Sequence, residues 1–274
     1  MFVFKFDDED FSLALDGFYF LIDLLKKHDV RATFFIVADI IDRYPHIIQT
    51  LKKSNHEIAC HSLHHTSGIN TKTKQPFQAP EVWERELILA KQKIEIAFDV
   101  KVTGYRAPSA YVGKWMIKLL EKNGFLYDSS IAFNSIYNKT DVRLKNIPSF
   151  PYRINTNDLS NINSDSSIVE LPWSYGKAGP LTVPGGGAFF YRVFGNTYFN
   201  VLLNQCLTRG DTMFYLHPLD LSTDPIPVKN NIARPMYWLN KGNKTRKMFE
   251  KFLIRHKDKI VTCGEVYTRF KNLN

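Results

Sequence analysis

The sequence has few cysteines, no long apolar segment and no leader-like start. Its three cysteines are Cys60, Cys206 and Cys263. Their odd number and wide spacing argue against a disulfide framework, and the lack of a Cys-x-x-Cys pair argues against a thiolate zinc site. No stretch approaches the roughly eighteen apolar residues of a transmembrane helix. The first residues, MFVFKFDDEDF, lack a basic region followed by a long apolar run, so we expect no signal peptide and a cytoplasmic location.

Charge and composition limit the classes of partner. The formal net charge is +9, yet no run of five basic residues occurs, which favours a solvated basic face over nucleic-acid binding. The same charge would favour contact with an anionic membrane surface that bears lipid-linked intermediates. A membrane-adjacent location is therefore the alternative to a purely cytoplasmic one. The chain has 274 residues, 44% hydrophobic and 23% charged, as expected for a soluble protein with one α/β barrel domain. The oligomeric state is left open.

Apolar segments typical of strands alternate with amphipathic segments typical of helices. Strands are predicted at 1–6, 32–37, 57–60, 103–106, 125–131, 168–171, 211–216 and 259–262, and helices at 17–28, from Pro45, 81–98, 114–123, 196–208 and 244–256. This alternation predicts an α/β fold of parallel strands with helical crossovers, either a barrel or a doubly wound sheet. No linker divides the chain, so residues 1–274 are predicted to form a single domain.

Polar side chains follow five of the predicted strands directly. They are Asp7, Asp8, Glu9 and Asp10 after the first strand, His61, Ser62, His64 and His65 after the third, and then Arg106, Glu170 and His217. Because the carboxyl ends of parallel strands meet at the active site of such folds, these side chains are predicted to converge.

The spacing of two histidines suggests a metal site. On a helical turn, residues four apart such as His61 and His65 lie on one side and can bind one ion, while His64 is expected to face outward. A carboxylate from the first strand would complete a two-histidine, one-carboxylate site suited to zinc, iron or cobalt. Structural roles remain open for the other candidates: Arg106 as an ion-pair partner, His217 as a core histidine, Glu170 as a loop cap and Trp173 as core packing.

Five motifs together resemble the polysaccharide deacetylase family, which has the NodB homology domain and is also called carbohydrate esterase family 4. They are Phe6-Asp7-Asp8, His61-Ser62-Leu63-His64-His65, Arg106-Ala107-Pro108, Glu170-Leu171-Pro172-Trp173 and Leu216-His217. The resemblance covers about residues 1–220. It implies a distorted (β/α) barrel of about seven mostly parallel strands, and a hydrolase that removes an N-acetyl group, or alternatively an O-acetyl group, from a glycan.

The resemblance also implies a role for each matching residue. Asp7 would be the general base, Arg106 would hold it ionised, His217 would be the general acid, and Glu170 would tune that histidine. The metal, zinc first and iron, cobalt or nickel as alternatives, would bind His61, His65 and either Asp8 or Glu9. A backbone N–H near Ala107–Tyr111 would assist at the oxyanion. The residues expected to contact substrate are Pro108, Tyr111, Trp173 and Leu216.

A narrower likeness is to the deacetylases of bacterial exopolysaccharide gene clusters. The segments ATFF, HEIACHS, GYRAP, YDSS, PGGG and FYLHP follow the order seen there, and the branch would make 218–274 a C-terminal extension. Two residues depart from the main family pattern: Glu9 replaces a usual Gly, and Glu170 stands where Asp is commoner. The family pattern nominates Asp8 as the metal ligand, whereas the period of a strand places Glu9 on the same face as Asp7.

Two other functions use the same residues. A cyclic amide hydrolase of the allantoinase-like or imidase-like kind would share the scaffold and the metal. A glycan-binding relic with a degenerate site would need no stoichiometric metal. Two measurements distinguish these two functions from a deacetylase. One compares activity on N-acetylated sugars with activity on ureides, and the other is the metal content.

Overall fold

The computed structural model describes residues 2–3, 12–70, 72–132, 139–144, 147–162, 166–225 and 238–273. Most of the predicted first strand and the acidic residues Asp7, Asp8, Glu9 and Asp10 lie outside these ranges. The described strands are β1 (Phe2–Val3), β2 (Thr33–Ile36), β3 (Glu57–Cys60), β4 (Gly104–Tyr105), β5 (Tyr127–Asp128), β6 (Tyr152–Arg153), β7 (Val169–Glu170), β8 (Tyr175–Ala178) and β9 (Leu181–Pro184). The described helices are α1 (Ser12–Lys27), α2 (Ile40–Arg43), α3 (Pro45–Lys52), α4 (Pro80–Phe98), α5 (Lys114–Lys122), α6 (Ala188–Leu207), α7 (Pro218–Leu221), α8 (Asn243–His256) and α9 (Cys263–Leu273).

One sheet organises the chain, with strands in the order β1-β2-β3-β4-β5-β7-β6. The first six are parallel neighbours, and β6 runs antiparallel to β7 at the edge. Beyond β7, Trp173 forms a parallel bridge with Met213 and so brings the segment after α6 alongside. Helices α1, α3, α4 and α5 connect successive strands of this sheet, which confirms the predicted barrel of about seven mostly parallel strands.

Strand periodicity divides the core into two layers. In β2, Phe34 and Ile36 pack in the large cluster formed with the outer helices, whereas Phe35 belongs to a second cluster on the opposite face. In β3, Ile58 faces the outer helices and Ala59 the inner cluster. This alternation is the period of two that a strand imposes on its side chains. The inner cluster is completed by residues of β5, β7 and α9: Tyr127, Val169, Leu171, Cys263 and Val266.

Helix α9 covers the inner face of the sheet, which corrects the prediction of a strand at 259–262. That segment is a short 3-10 turn over Lys257–Lys259 followed by the start of α9. The side chain of Glu57 accepts hydrogen bonds from the N–H of Gly264 (2.9 Å), from Thr33 Oγ1 (2.6 Å) and from the Tyr127 hydroxyl (2.7 Å). Glu57 therefore joins two strands of the barrel to the first turn of this helix.

Three other elements differ from the sequence prediction. Among the described residues, 211–216 form isolated bridges at Met213 and Leu216 rather than a continuous strand, and the hairpin β8–β9 was not predicted. Helix α6 begins at Ala188, before the predicted start at 196, and its backbone breaks at Gly195, where φ is +75°. A glycine suits this left-handed conformation because it has no Cβ to clash.

The C-terminal helices pack on α1. Arg246 of α8 forms an ion pair with Asp16 of α1 (2.6 Å), and Lys27 pairs with Glu250 (2.7 Å). Among the described residues, no helix combines the length and apolar character needed to cross a bilayer.

Candidate active site

The two histidines of the predicted metal site come together on a tight turn after β3. His61 continues the strand by donating its backbone N–H to Ile36 O (2.8 Å). The chain then turns through left-handed conformations at Ser62 (φ +75°) and His65 (φ +59°). Ser62 Oγ accepts the backbone N–H of His65 at 2.9 Å and closes the turn. The expectation of a helical turn was therefore wrong, yet the imidazole centroids lie 5.0 Å apart.

His61 has the electrostatic state of a metal ligand. Its Nδ1 lies 2.7 Å from the carbonyl oxygen of Arg106, and because a carbonyl only accepts, Nδ1 carries the proton. Burial lowers the pKa of His61 well below its ordinary value, which keeps the ring neutral. Nε2 is buried and has no hydrogen-bond partner within the described part of the chain. Histidine binds a metal as an oriented, neutral imidazole whose second ring nitrogen has its lone pair available.

The acidic side of the site lies outside the described residues. Asp7 as general base, its pair with Arg106, and Asp8 or Glu9 as metal ligand therefore stay predictions. Within the described ranges, no three His, Cys, Asp or Glu side chains form a cluster able to hold an ion. His64 is half exposed and places Nδ1 2.6 Å from Asp39 Oδ2, away from the pair.

Arg106, directly after β4, lies against a pair of aromatic rings whose centres are 4.5 Å apart. Its guanidinium carbon is 4.6 Å from the ring centre of Trp173 and 4.5 Å from that of Tyr215. Burial lowers the pKa of Arg106 to about 10, so the side chain remains a cation at neutral pH. A buried cation held by two ring faces is fixed in position, as cation–π contacts gain strength where water is excluded.

Glu170 pairs with another carboxyl group. The register of β5 and β7 places Asp128 beside Glu170, and both are fully buried. Glu170 Oε1 accepts the N–H of Ile131 at 2.9 Å, while Ser130 Oγ donates to Asp128 Oδ1 at 2.7 Å. Burial and the adjacent Asp128 raise the pKa of Glu170 well above its ordinary value. The raised pKa favours the protonated form of Glu170, because like charges in contact cannot both ionise.

His217 is instead held by Asp220, which the sequence reasoning missed. Asp220 Oδ2 accepts the backbone N–H of His217 at 2.8 Å and lies 3.2 Å from its Nδ1. Asp220 Oδ1 lies 3.2 Å from Nε of the buried Arg192. Asp220 is thus the carboxylate in contact with the ring of His217, and the tuning role implied for Glu170 stays a prediction. The available signal was the spacing His-Pro-Leu-Asp, which is that of a helix start with an acid at its third position.

The residues expected to contact substrate differ in exposure. Tyr111 and Trp173 are half-buried, and the ammonium group of Lys139 lies 5.2 Å and 5.4 Å from their ring centres. Pro108 and Leu216 are buried, and Leu216 belongs to the large cluster formed with the outer helices. Lys139 was also missed, because its approach depends on the long segment after β5 returning to the site.

The turn after Arg106 has strained backbone and engaged N–H groups. Ser109 and Ala110 have φ of +54° and +60°, a conformation that costs free energy for residues other than glycine. The N–H of Ala107 donates to Ser130 Oγ, and those of Ala110 and Tyr111 donate to carbonyls within the turn. These three N–H groups are therefore engaged in this conformation, and the expectation of an oxyanion donor in this segment stays a prediction.

Comparison with known families agrees with this geometry. Residues 2–127 match the polysaccharide deacetylase family, and residues 133–261 match a domain of unknown function (DUF3473). The deacetylase match covers the first part of the chain, under half of its length, and confirms the resemblance of that part to the polysaccharide deacetylase family. The second match begins at residue 133, and the expected C-terminal extension over 218–274 stays a prediction.

Particular relatives show how far the likeness extends. The peptidoglycan deacetylase of Helicobacter pylori is 29% identical over 120 residues, which cover 42% of this chain and 36% of the relative. The matched segments span less than half the length of the curated relatives. A structure assigned to the polysaccharide deacetylases of Mycobacterium smegmatis aligns with a TM-score of 0.62 at 19% identity, covering 95% of this chain and 78% of that one. The allantoinase PuuE aligns with a TM-score of 0.59 at 14% identity, over 94% and 73%. At such identities these structures share the fold alone.

Proposed function

We propose that this chain is a metal-dependent deacetylase that removes an N-acetyl group from a sugar in a polysaccharide or its lipid-linked precursor. The observation that carries the proposal is the state of His61: buried, neutral, oriented by the Arg106 carbonyl, and presenting Nε2 beside His65. A buried imidazole nitrogen with no partner among the described residues costs free energy unless something binds it, and a divalent cation fits this donor.

The proposed ligands are His61, His65 and a carboxylate from the acidic segment, Glu9 or Asp8. Zinc suits two imidazoles and one carboxylate, and iron, cobalt and nickel are the alternatives. Bound there, such an ion supplies Lewis acidity that polarises an amide carbonyl and lowers the pKa of water.

The remaining chemistry belongs to side chains around that position. Asp7 is proposed to take the proton of the attacking water, with Arg106 favouring its ionised form. His217 delivers a proton to the sugar nitrogen as the C–N bond breaks, so that amide and water become amine and acetate. Trp173 and Tyr111 offer half-buried rings on which a sugar and its acetyl group can pack.

The substrate class follows from the narrower likeness to exopolysaccharide deacetylases. The segments HEIACHS, GYRAP and FYLHP that carry this likeness supply His61, Arg106 and His217 of the site. We infer that the acceptor is a growing or lipid-linked glycan, handled inside the cell or at its membrane surface. The net charge of +9 favours attraction to such an anionic surface. Finding the mature native protein outside the cell membrane would contradict this location.

Two matched variants test the metal site. Full-length protein is stripped with chelator, reloaded with Zn²⁺, Fe²⁺, Co²⁺ or Ni²⁺, and analysed for bound metal and for acetate release from N-acetylated oligosaccharides. His61→Ala should lose both stoichiometric metal and acetate release. His64→Ala, which removes the outward histidine of the same turn, should keep both. Retention of metal and activity by His61→Ala would refute the site.

The same assay separates the competing functions. Asp7→Asn should keep the metal and lower turnover by a factor on the order of 10²–10⁴, the usual contribution of a general base. A wild-type protein that holds metal and hydrolyses allantoin, but releases no acetate, would be a cyclic amide hydrolase. A protein that holds no metal and hydrolyses neither substrate would be a glycan-binding relic.

A further inference from the structure

The segment that follows the deacetylase match contributes a buried ion pair to the candidate general acid. Arg192 lies in α6, and Asp220 lies in the first turn of α7, directly after His217. The Arg192 and Asp220 side chains are only 2% and 9% exposed, and their Nε and Oδ1 atoms are 3.2 Å apart. A cation and an anion this deeply buried stabilise each other, and each becomes costly when the other is removed.

We propose that Asp220 and Arg192 are positioning residues for the reaction: Asp220 fixes the proton of His217 on Nδ1, and Arg192 holds Asp220 in the orientation that does so. This inference rests on the proposed function, since it gives His217 the role of general acid. Nε2, the other ring nitrogen, then takes up a proton from solvent to give an imidazolium that Asp220 stabilises, and this second proton is the one delivered to the sugar nitrogen.

The geometry around Asp220 allows a single assignment of the proton. Oδ2 accepts the backbone N–H of His217 and lies within hydrogen-bond distance of Nδ1, while Oδ1 faces the guanidinium of Arg192. An ionised carboxylate only accepts, so the Nδ1 atom that faces it carries the hydrogen. Although burial opposes ionisation, the hydrogen bonds from His217 and the charge of Arg192 hold the pKa of Asp220 below its ordinary value.

Arg192 and His217 belong to different elements, since Arg192 lies in α6 and His217 directly precedes α7. The carbonyl of Arg192 accepts a hydrogen bond from Asn240 Nδ2 at 2.7 Å, which ties α6 to the segment before α8. Asp220 in turn accepts the N–H of Gly242 through its backbone carbonyl at 3.1 Å. Both residues are thus fixed by the same returning segment, so the position of the His217 ring depends on packing beyond the deacetylase match.

Glu170 cannot replace Asp220 in this role. Burial and Asp128 raise the pKa of Glu170, which favours its protonated form, and its Oε1 accepts the N–H of Ile131. A protonated carboxyl would not stabilise an imidazolium as an ionised one does. Among these carboxylates, Asp220 is therefore the one that pairs with His217.

The test measures the tautomer of His217 directly. Zinc-loaded full-length protein labelled with ¹⁵N-histidine is studied by long-range ¹H–¹⁵N NMR, with the His217 signal assigned from a His217→Gln sample. Wild type should show the Nδ1–H tautomer. In Asp220→Asn the carboxamide can donate to Nδ1, so the proton should move to Nε2. The kcat for acetate release should fall on the order of 10²–10⁴-fold with little change in KM.

Arg192 is tested by two variants and a matched control. Arg192→Met should give mixed tautomers and lower kcat on the order of tenfold or more, and Arg192→Lys should restore part of both because it keeps the charge. Arg246→Met is the control, since Arg246 also contacts α7, through the Leu221 carbonyl, and pairs with Asp16 rather than Asp220. It should leave the tautomer unchanged.

The outcomes distinguish the inference from the function on which it rests. A wild-type tautomer in both Asp220→Asn and Arg192→Met would overturn the inference, even if the protein releases acetate. An equal shift in Arg246→Met would also overturn it, because general loosening of α7 would then explain the effect. If Arg192→Met does not fold, the tautomer of His217 in Asp220→Asn and Arg192→Lys still decides whether the inference holds. The expected tautomer changes in a protein that releases no acetate would refute the proposed function while leaving the positioning of His217 supported.

Discussion

Replacing Glu170 by glutamine gives a direct test of the buried proton. In the folded protein the pKa of Glu170 is raised well above 4.5, mainly by burial and by Asp128. In the unfolded chain, the group ionises near its ordinary value. The folded state therefore binds one proton more than the unfolded state between these two pKa values. Stability from this group is complete below the unfolded pKa and falls as the pH rises toward the folded one.

The magnitude follows from linkage. One extra bound proton changes the free energy of unfolding by about 1.4 kcal/mol per pH unit. From pH 5 to pH 7, wild type should lose up to about 3 kcal/mol relative to Glu170→Gln, if the folded pKa lies above that window. The amide of glutamine is uncharged, can donate to Asp128 and can accept from the N–H of Ile131. At pH 7 the variant should be at least as stable as wild type.

Urea unfolding at pH 5, 6 and 7 measures this difference. Comparing two proteins at each pH cancels the contributions of their shared titrating groups. Glu84→Gln is the matched control, since hydrogen bonds from Asn123 and Lys122 lower the pKa of Glu84, which is partly buried. Its stability profile should run parallel to that of wild type. A Glu170→Gln profile that also runs parallel to wild type would contradict the loss of one buried proton on this substitution.

Four further substitutions test other parts of the structure. Metal analysis of Asp8→Ala and Glu9→Ala decides the carboxylate ligand: loss of metal in Glu9→Ala alone supports the strand-period argument, and loss in Asp8→Ala alone requires a bulge there. Glu57→Ala should lower the free energy of unfolding by about 1–3 kcal/mol, because it leaves buried donors without their acceptor; an unchanged urea midpoint would contradict this. Gly104→Ala should destabilise by about 1–3 kcal/mol, since a Cβ there would lie 2.0 Å from the Tyr127 ring; a wild-type melting temperature would show that the ring moves freely.

The barrel could be predicted from the sequence because its signals are local. The run ATFFIV and the segment Glu57–Cys60 are short apolar stretches, and the structure makes them β2 and β3 in parallel register. The amphipathic segment 81–98 became α4 almost residue for residue. Such segments carry their period in their own side chains, so no distant contact is needed to recognise them.

The errors arose where distant contacts decide the structure. Residues 259–262 have the composition of a strand, but the Glu57 side chain and the inner core favour a helix start after Thr262. The spacing of His61 and His65 indicated proximity correctly, although left-handed residues rather than a helix bring the rings together. Asp220 was overlooked because its role depends on Arg192, which is distant in sequence.

The position of α9 has a consequence for the order of folding. The inner face of the sheet is completed by Cys263 and Val266, which follow every strand in the chain. On the ribosome, the strands therefore emerge with one apolar face open to water until this helix has been made. Contacts of such long sequence separation form late, because closing large loops is entropically costly. During that interval the nascent chain presents a surface that chaperones recognise.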